Sequence, residues 1–235
     1  MSPDKKVLVV ARSFGVAAPI GKRILLDHGF EVCRVPDEER PLTAAKLQHI
    51  VARERPGAVV VGAEPISREV LTAHDGLRVV AKHGVGVDNI DLVSATSCGI
   101  IVTNAPDTNT HAVADLTLAL MLALSRGLCR ADQSTKAGRW EPFVGRELWG
   151  KTLGVVGTGS IGKEVIRRAR GFGLSLLACD VVVDVQLSSE YGVRYVSLDS
   201  LLAEADYVTL HVPLTERTRG MIGAGELGRM KRSAY

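Results

Sequence analysis

The sequence predicts an α/β fold organised in two domains, and three features lead to that prediction. From residue 6 to 103, short runs of β-branched residues alternate with helical patterns, which is typical of parallel strands joined by crossover helices. A long apolar segment and a polar segment interrupt this pattern. The alternation then restarts after Lys151, so we predict one domain over residues 1–103 and a second over residues 104–235.

The elements of the first domain follow from its apolar periodicity. The chain begins with the run KVLVVA, a helix near residues 20–27, the run EVCRV and a helix near residues 44–52. The runs GAVVVG, REVLTA, LRVVAK and GIIVTN continue the series. Residues 111–130 are apolar on almost every face of a helix, so we expect one buried helix where the domains meet. The polar segment 131–150 carries both tryptophans, which either belong to an interface or fill the domain boundary.

The composition excludes several classes of protein. Hydrophobic residues make up 46% and charged residues 23% of the chain, as in globular proteins and unlike fibres or disordered tails. The net charge of +3 comes from scattered lysines and arginines, which disfavours nucleic acid as a partner. The 4 cysteines form no CxxC or Cys/His cluster, so neither a zinc site nor a disulfide framework is predicted. We find no signal peptide or membrane span and expect a cytoplasmic protein without a membrane partner.

The second domain opens with the stretch LGVVGTGSIGKEV, residues 153–165, in which three glycines join a buried strand to an amphipathic helix. Each glycine of GxGxxG has a physical reason. Gly157 permits a tight turn, Gly159 lets the backbone approach a pyrophosphate, and Gly162 lets helix and strand pack closely. The helix N-terminus offers free N–H groups to the phosphates. A glycine-rich turn that serves packing alone is the alternative, because GxGxxG by itself is a weak signal.

An acidic residue follows the next predicted strand. The run LSLLACD ends at Asp180, close to the offset at which dinucleotide-binding proteins place the acid that binds the ribose. A carboxylate there accepts hydrogen bonds from ribose hydroxyls and repels a 2′-phosphate. The following residues, VVVDV, include no arginine or lysine that could bind such a phosphate. The sequence therefore predicts NAD rather than NADP as the cofactor.

A further strand lies within DYVTLHVP, residues 206–213, and runs into His211, Val212 and Pro213. Ligands of open α/β sheets bind outside the carboxyl ends of the strands, so we expect these three residues to line the cofactor site. The alternative for His211 is a strand-end histidine that hydrogen-bonds to backbone. About four strands are expected after residue 151, against roughly six in a complete dinucleotide-binding domain, so we expect this domain to be incomplete.

Four blocks of the chain, in this order, resemble the D-isomer-specific 2-hydroxyacid dehydrogenases, especially the D-3-phosphoglycerate dehydrogenase branch: AKHGVGVDNIDL, NAPDTNTHAVADLTLALML, GRELWGKTLGVVGTGSIGKEV and LHVPLTERTRGMI. The resemblance implies an NAD-dependent oxidoreductase that transfers a hydride between NAD and a D-2-hydroxy acid. It also implies a flavodoxin-like substrate domain followed by a Rossmann NAD-binding domain. A relative of adenosylhomocysteine hydrolase would share the glycine motif but would not explain KHGVGVDNID.

The resemblance also implies which residues bind ligands. Residues matched to substrate binding are Lys82, Gly84, Val85, Gly86 and Asn109. Residues matched to cofactor binding are Gly157, Gly159, Ser160, Ile161, Gly162, Asp180, His211, Val212, Pro213 and Thr218. The segment 131–150 matches the arm through which subunits pair, which implies a homodimer.

The loop KHGVGVDN also has a reading that is independent of the family. A glycine-rich turn exposes several N–H donors at once, and such a group of donors suits a carboxylate. The alternative is a strand-to-helix turn in which Asp88 and Asn89 cap the helix and Lys82 is a solvated surface charge.

Two departures from the family pattern affect the predicted function. Gly62 stands where phosphoglycerate-specific members carry an arginine for the substrate's phosphate, so the substrate could resemble phosphoglycerate or a smaller acid such as hydroxypyruvate or glyoxylate. The family's catalytic arginine, glutamate and histidine match positions beyond Tyr235, so we assign no catalytic residue and expect little turnover from this chain alone. The alternative function is a catalytically inactive NAD-binding regulatory or scaffolding module.

Overall fold

The computed structural model describes residues 5–16 and 18–235 and divides the chain into two compact units. The units are Met1–Thr108 and Asn109–Tyr235, so the division lies a few residues after the boundary predicted from the sequence. Each unit contains a parallel β-sheet with helices between successive strands. The predicted α/β fold is therefore confirmed.

The first unit contains five parallel strands in the order β2-β1-β3-β4-β5. This order is that of flavodoxin-like folds, as the resemblance implied. Its elements are β1 (Lys6–Val9), α1 (Ile20–Asp27), β2 (Glu31–Arg34), α2 (Ala44–Glu54), β3 (Ala58–Val61), α3 (Arg68–Leu71), β4 (Val79–Lys82), α4 (Leu92–Ser97) and β5 (Ile101–Thr103). A single 3-10 turn, Asp37–Glu39, precedes α2.

The central strands of this sheet are buried on both faces. Successive side chains of a strand point to opposite faces, so Val7 and Val9 of β1 lie in one apolar cluster while Leu8 lies in another. The same division separates Val60 from Val59 in β3. A strand covered on both faces has no polar alternation, which explains why these segments read as continuous apolar runs.

His74 is a buried polar residue of the first unit, located after α3. Both of its ring nitrogens are buried and have no hydrogen-bond partner among the described residues. Burial lowers the pKa of the imidazole below its ordinary value, and the positive charge of Arg55 lowers it further. A side chain at Gly76 would overlap the imidazole ring, so the ring has little room to move. The folded chain therefore holds His74 in its neutral form near neutral pH.

Protonation of His74 is expected to destabilise the fold in mild acid. Because the folded-state pKa lies below the ordinary value of 6.5, the unfolded chain binds the extra proton. The contribution of neutral His74 to the free energy of unfolding is thus fully present above pH 6.5. It is lost as the pH falls through the folded-state pKa. Urea unfolding of wild type and His74→Leu at a series of pH values measures this contribution. We expect a smaller loss of stability in acid for the variant, and an unchanged pH profile would contradict the assignment.

The second unit contains four parallel strands in the order β8-β7-β6-β9. This number agrees with the prediction of about four strands after residue 151. Its elements are α5 (Thr110–Arg126), α6 (Leu128–Lys136), β6 (Thr152–Val156), α7 (Ser160–Arg170), β7 (Ser175–Cys179), α8 (Val185–Tyr191), β8 (Arg194–Tyr195), α9 (Leu198–Glu204), β9 (Tyr207–Leu210) and α10 (Ala224–Arg229). The core lies where α5 and α7 pack together on the side of β6 that carries Leu153 and Val155.

The predicted single buried helix over residues 111–130 is wrong. Gly127 adopts a left-handed conformation with φ of 59°, which glycine accepts at little cost, and the chain bends by 68° between α5 and α6. One face of α5 is buried, but leucines at four-residue spacing lie more than half exposed on the other side: Leu116, Leu120 and Leu124. Among the described residues, no single helix is long and apolar enough to span a membrane; α5 and α6 meet that test only when taken together.

Candidate functional site

The first part of the candidate site is the turn between β6 and α7. Gly157 follows β6 with φ of 92°, a conformation that other residues rarely adopt. A Cβ atom there would lie 2.7 Å from the carbonyl oxygen of His211 and 2.8 Å from Cγ1 of Val212. The turn is anchored on its other side by Gly157 N, which donates to the carbonyl oxygen of Cys179 at 2.9 Å. Only glycine fits between the carboxyl ends of these neighbouring strands.

The third glycine of the motif brings α7 close to this turn. A Cβ atom at Gly162 would overlap the carbonyl oxygen of Gly157 and would contact Cγ1 of Val155 at 3.4 Å. The next turns of α7 bury Val165 and Ile166 against the sheet. The close approach of helix and strand is the packing predicted for this glycine, and it fixes the direction in which the helix N-terminus points.

Gly159 differs from the other two glycines because the space beside it is open. A Cβ atom at Gly159 would meet no atom of the described residues within 4 Å. Gly159 is the N-cap of α7, and none of the described side chains caps this helix end. Ser160, the first helical residue, is exposed. Uncapped N–H groups beside open space bind anions readily, so this helix end fits a pyrophosphate.

Asp180 lies directly after β7, beside the glycine turn. Its Oδ2 atom accepts hydrogen bonds from Thr158 N at 2.5 Å and Thr158 Oγ1 at 2.9 Å, and its Oδ1 atom accepts one from Val182 N at 3.2 Å. Burial by itself raises the pKa of this carboxyl, but the hydrogen bonds from Thr158 and Val182 outweigh burial, and the pKa lies below its ordinary value. Asp180 is therefore a carboxylate at neutral pH and can accept hydrogen bonds from ribose hydroxyls.

The remaining predicted cofactor residues lie at or after the end of β9. The ring of His211 is paired through Nε2 with Thr209 Oγ1 at 2.9 Å, a side-chain partner in place of the backbone partner of the alternative. Burial lowers the pKa of His211, which favours a neutral ring. Further along, Thr218 Oγ1 donates to the carbonyl oxygen of Pro213 at 2.6 Å and accepts from Thr215 N at 2.8 Å. Thr218 thereby fixes the loop that follows the strand.

The predicted substrate loop lies in the first unit and begins with Lys82. Lys82 Nζ donates to the carbonyl oxygen of Gly62 and to Asn89 Oδ1, both at 2.6 Å. Lys82 is half-buried and bonded to the fold through both contacts, so it is not a freely solvated surface charge, and burial lowers its pKa. An ammonium group has three donors, and these two bonds leave one N–H for a ligand.

The helix-capping alternative for this loop is also wrong. The N-cap of α4 is Asp91, whose Oδ1 accepts a hydrogen bond from Ser94 N at 2.9 Å. Asn89 instead donates through Nδ2 to the carbonyl oxygens of Gly62 at 3.1 Å and Glu64 at 2.6 Å. The loop is thus tied to the end of β3 rather than to the helix that follows it.

The other predicted substrate residues are divided between the units. Gly84, Val85 and Gly86 belong to the loop of the first unit, where the carbonyl oxygens of Gly84 and Val85 accept hydrogen bonds from the chain after β5. Asn109 is the N-cap of α5 in the second unit, and its Oδ1 is buried with no partner among the residues that the structure describes. An unpaired amide oxygen is costly to bury, so Asn109 is a candidate for a ligand contact.

Comparison with protein families decides what kind of site this is. Residues 118–235 match the family described as D-isomer specific 2-hydroxyacid dehydrogenase, NAD binding domain. The chain belongs to this family. The matched residues include the glycine turn, Asp180 and the end of β9. The predicted family, the Rossmann NAD-binding domain and NAD as cofactor are thereby confirmed.

Curated relatives of this chain include enzymes with different substrates in their names. The chain is 40% identical over 215 residues to a glyoxylate reductase of Korarchaeum cryptofilum, covering 89% of this chain and 64% of the relative. It is 44% identical over 179 residues to a D-3-phosphoglycerate dehydrogenase of Methanocaldococcus jannaschii, covering 75% of this chain and 34% of the relative. The chain thus spans from one third to just under two thirds of these relatives.

A solved structure extends the likeness across both units. The D-lactate dehydrogenase from Aquifex aeolicus, complexed with NAD and lactic acid, is 30% identical to this chain with a TM-score of 0.79. The alignment covers 98% of this chain and 67% of that protein. The family likeness therefore includes the flavodoxin-like unit that precedes the NAD-binding domain.

Two residues beside the glycine turn were missed by sequence reasoning. Thr158 holds Asp180 through two hydrogen bonds, and Tyr195 donates from its hydroxyl to Thr158 Oγ1 at 3.0 Å. Thr158 occupies a variable position of GxGxxG, and Tyr195 lies in a two-residue strand that the periodicity did not indicate. Only the parallel pairing of β7 with β8 brings Tyr195 to this site.

Proposed function

We propose that the protein containing this chain is an NAD-dependent oxidoreductase that transfers a hydride between NAD and a D-2-hydroxy acid. One observation carries the proposal: this chain, a member of the family, has an uncapped helix N-terminus beside Gly159, with the ionised Asp180 next to it. The names of the relatives, which include reductases and dehydrogenases of small acids, support this reaction class. No relative reported above supports the alternative of an inactive regulatory or scaffolding module.

The chain's own residues would bind and orient the two ligands. NAD supplies the hydride acceptor. The first N–H groups of α7 would bind its pyrophosphate, and Asp180 would accept hydrogen bonds from a ribose. The free N–H of Lys82, together with backbone N–H groups of the loop at Gly84 and Gly86, would bind the substrate carboxylate. These roles assign the acid to the first unit, which is the proposed substrate domain, and the cofactor to the second unit, which is the NAD-binding domain.

The surroundings of Gly62 favour a substrate without a phosphate. Glu64 Oε2 accepts a hydrogen bond from Gly62 N at 2.9 Å, and a Cβ atom at Gly62 would lie only 3.1 Å from that oxygen. Arg40 Nη1 is paired with Glu64 Oε1 at 3.0 Å, so this arginine is not free to bind a phosphate. The ammonium group of Lys82 also lies beside Gly62, but it is assigned above to the substrate carboxylate, so the side chain that remains here for a phosphate is the Glu64 carboxylate. We therefore place the substrate among small unphosphorylated 2-hydroxy acids and their keto acids.

The test is the stereospecificity of NAD reduction by the full-length protein that contains this chain. Purified protein is assayed with paired D and L isomers of lactate and glycerate, and with 3-phosphoglycerate, by the absorbance of NADH. We expect turnover with D isomers, none with L isomers, and less with 3-phosphoglycerate than with D-glycerate. Preference for L isomers, or no turnover with any of these acids, would contradict the proposed reaction.

We also propose a homodimer formed through residues 131–150 in the cytoplasm. Two tryptophans of this segment, Trp140 and Trp149, are 99% and 75% exposed. Together with the exposed leucines of α5 they support an apolar surface that a second copy would cover. The four cysteines are free, which suits a reducing compartment. Sedimentation over a range of concentrations would detect the dimer, and a monomer throughout would contradict it.

A further inference from the structure

We propose that Tyr195 and Thr158 are positioning residues that hold the carboxylate of Asp180 in one orientation and thereby set the preference for NAD over NADP. The inference rests on the cofactor site proposed above and extends it to two residues that do not themselves bind the cofactor. Its basis is a chain of hydrogen bonds that runs from the Tyr195 hydroxyl through Thr158 Oγ1 to Asp180 Oδ2.

The two oxygens of Asp180 are used differently. Oδ2 receives both hydrogen bonds from Thr158, at 2.5 Å from the backbone N and 2.9 Å from Oγ1. Among the described residues, Oδ1 receives one hydrogen bond, the longer one from Val182 N at 3.2 Å. Each carboxylate oxygen can accept about two hydrogen bonds, so the unused acceptor capacity lies on Oδ1. A ribose hydroxyl would therefore bind Oδ1, and Thr158 determines where that atom points.

The direction of the hydrogen bonds makes Tyr195 part of this arrangement. A threonine hydroxyl has a single proton, and Thr158 donates it to Asp180. The hydroxyl can then only accept from Tyr195, which donates at 3.0 Å. The Tyr195 hydroxyl thus fixes the rotation of the Thr158 hydroxyl. Successive hydrogen bonds polarise one another, so the bond to the carboxylate is strengthened.

The fold holds both positioning residues rigidly. Thr158 is only 5% exposed and lies between two glycines of the turn. Tyr195 pairs with Ala178 of β7, just before the acid, and its ring packs against the apolar cluster beneath α7.

A fixed carboxylate explains selectivity as well as affinity. When Asp180 is held in place, its charge remains where a 2′-phosphate of NADP would sit, and the repulsion is retained. A carboxylate released from Thr158 could rotate away, which would weaken its bonds to the ribose and also reduce the repulsion. Removal of the Thr158 or Tyr195 hydroxyl should therefore lower the ratio of NAD to NADP affinity. A general loss of order in the domain would instead weaken the binding of both cofactors equally.

The test measures NAD and NADP affinity by isothermal titration for wild type and a set of variants. Thr158→Val should weaken NAD binding about tenfold, as expected for a hydrogen bond to a charged group, and NADP binding less. Tyr195→Phe should weaken NAD binding about threefold. Thr158→Ser keeps the hydroxyl and should bind NAD within about twofold of wild type. In the Thr158→Val background, Tyr195→Phe should have no further effect.

A matched control removes a different hydroxyl from the same sheet. Tyr207 pairs through its hydroxyl with Ser125 Oγ at 2.7 Å, so Tyr207→Phe should leave NAD affinity unchanged. If wild type binds NAD, but the ratio of NAD to NADP affinity in both Thr158→Val and Tyr195→Phe equals that of wild type, this inference alone is overturned. Parallel losses for NAD and NADP, with a lowered thermal midpoint, would also overturn it. A wild-type chain without affinity for NAD would overturn the proposed cofactor site as well.

Discussion

Gly159→Ala is expected to weaken NAD binding by about 2 kcal/mol or more, roughly thirtyfold, with little change in the free energy of unfolding. A methyl group at this position meets no described atom within 4 Å, so the fold tolerates it. The backbone of Gly159 is already extended, with φ of −66°, and the loss of glycine at this N-cap should cost less than about 1 kcal/mol. The methyl group would occupy the space through which the pyrophosphate approaches the N–H groups of α7.

Gly162→Ala is the matched control for this prediction. Its methyl group would overlap the carbonyl oxygen of Gly157, so the variant should lose about 1–3 kcal/mol of stability. Urea unfolding and NAD titration of both variants separate the two effects. Gly159→Ala that binds NAD as tightly as wild type would show that the pyrophosphate does not approach this turn.

Asp180→Ala is expected to weaken NAD binding by about 1–3 kcal/mol, because the hydrogen bonds between ribose hydroxyls and a charged acceptor are lost. NADP binding should weaken less, since the repulsion of a 2′-phosphate is lost at the same time. Asp180→Asn keeps an acceptor but removes the charge, so it should reduce the discrimination between the cofactors more than it reduces NAD affinity.

Asp199→Ala provides the control for removal of a carboxylate from the same unit. The side chain of Asp199 is 69% exposed and faces Arg229 at 3.5 Å, so its loss should leave both affinities unchanged. Titrations of NAD and NADP into the three variants test the assignment. Wild type that binds NADP more tightly than NAD, or Asp180→Ala with the wild-type ratio of affinities, would contradict the role of Asp180.

The glycine turn and its acid could be predicted because their geometry depends on local sequence. The tight turn requires glycine at position 157, and the close approach of the helix requires glycine at position 162. Neither position has room for a Cβ atom, and the same holds wherever the motif occurs. The number of residues between the glycine motif and Asp180 is set by the lengths of one helix and one strand. The strands of the first unit were recognisable for a similar reason, since runs such as AVVV in β3 are buried on both faces.

Features that depend on tertiary contacts could not be predicted in this way. Tyr195 reaches Thr158 only because β8 pairs with β7, and a strand of two residues has no periodicity to reveal that pairing. A lysine after a strand carries no local signal of burial, yet bonds to Gly62 and Asn89 draw Lys82 into the fold. The bend at Gly127 is different, because a glycine inside an apolar helical pattern was a signal for a helix end that the prediction did not use.

A crystal structure of the chain with NAD tests most directly whether the N-terminus of α7 and Asp180 together bind this cofactor. We expect pyrophosphate oxygens within hydrogen-bond distance of the first N–H groups of α7, and ribose hydroxyls bound to Asp180 Oδ1. NAD bound elsewhere on the chain, or a ribose that does not contact Asp180, would contradict this expectation.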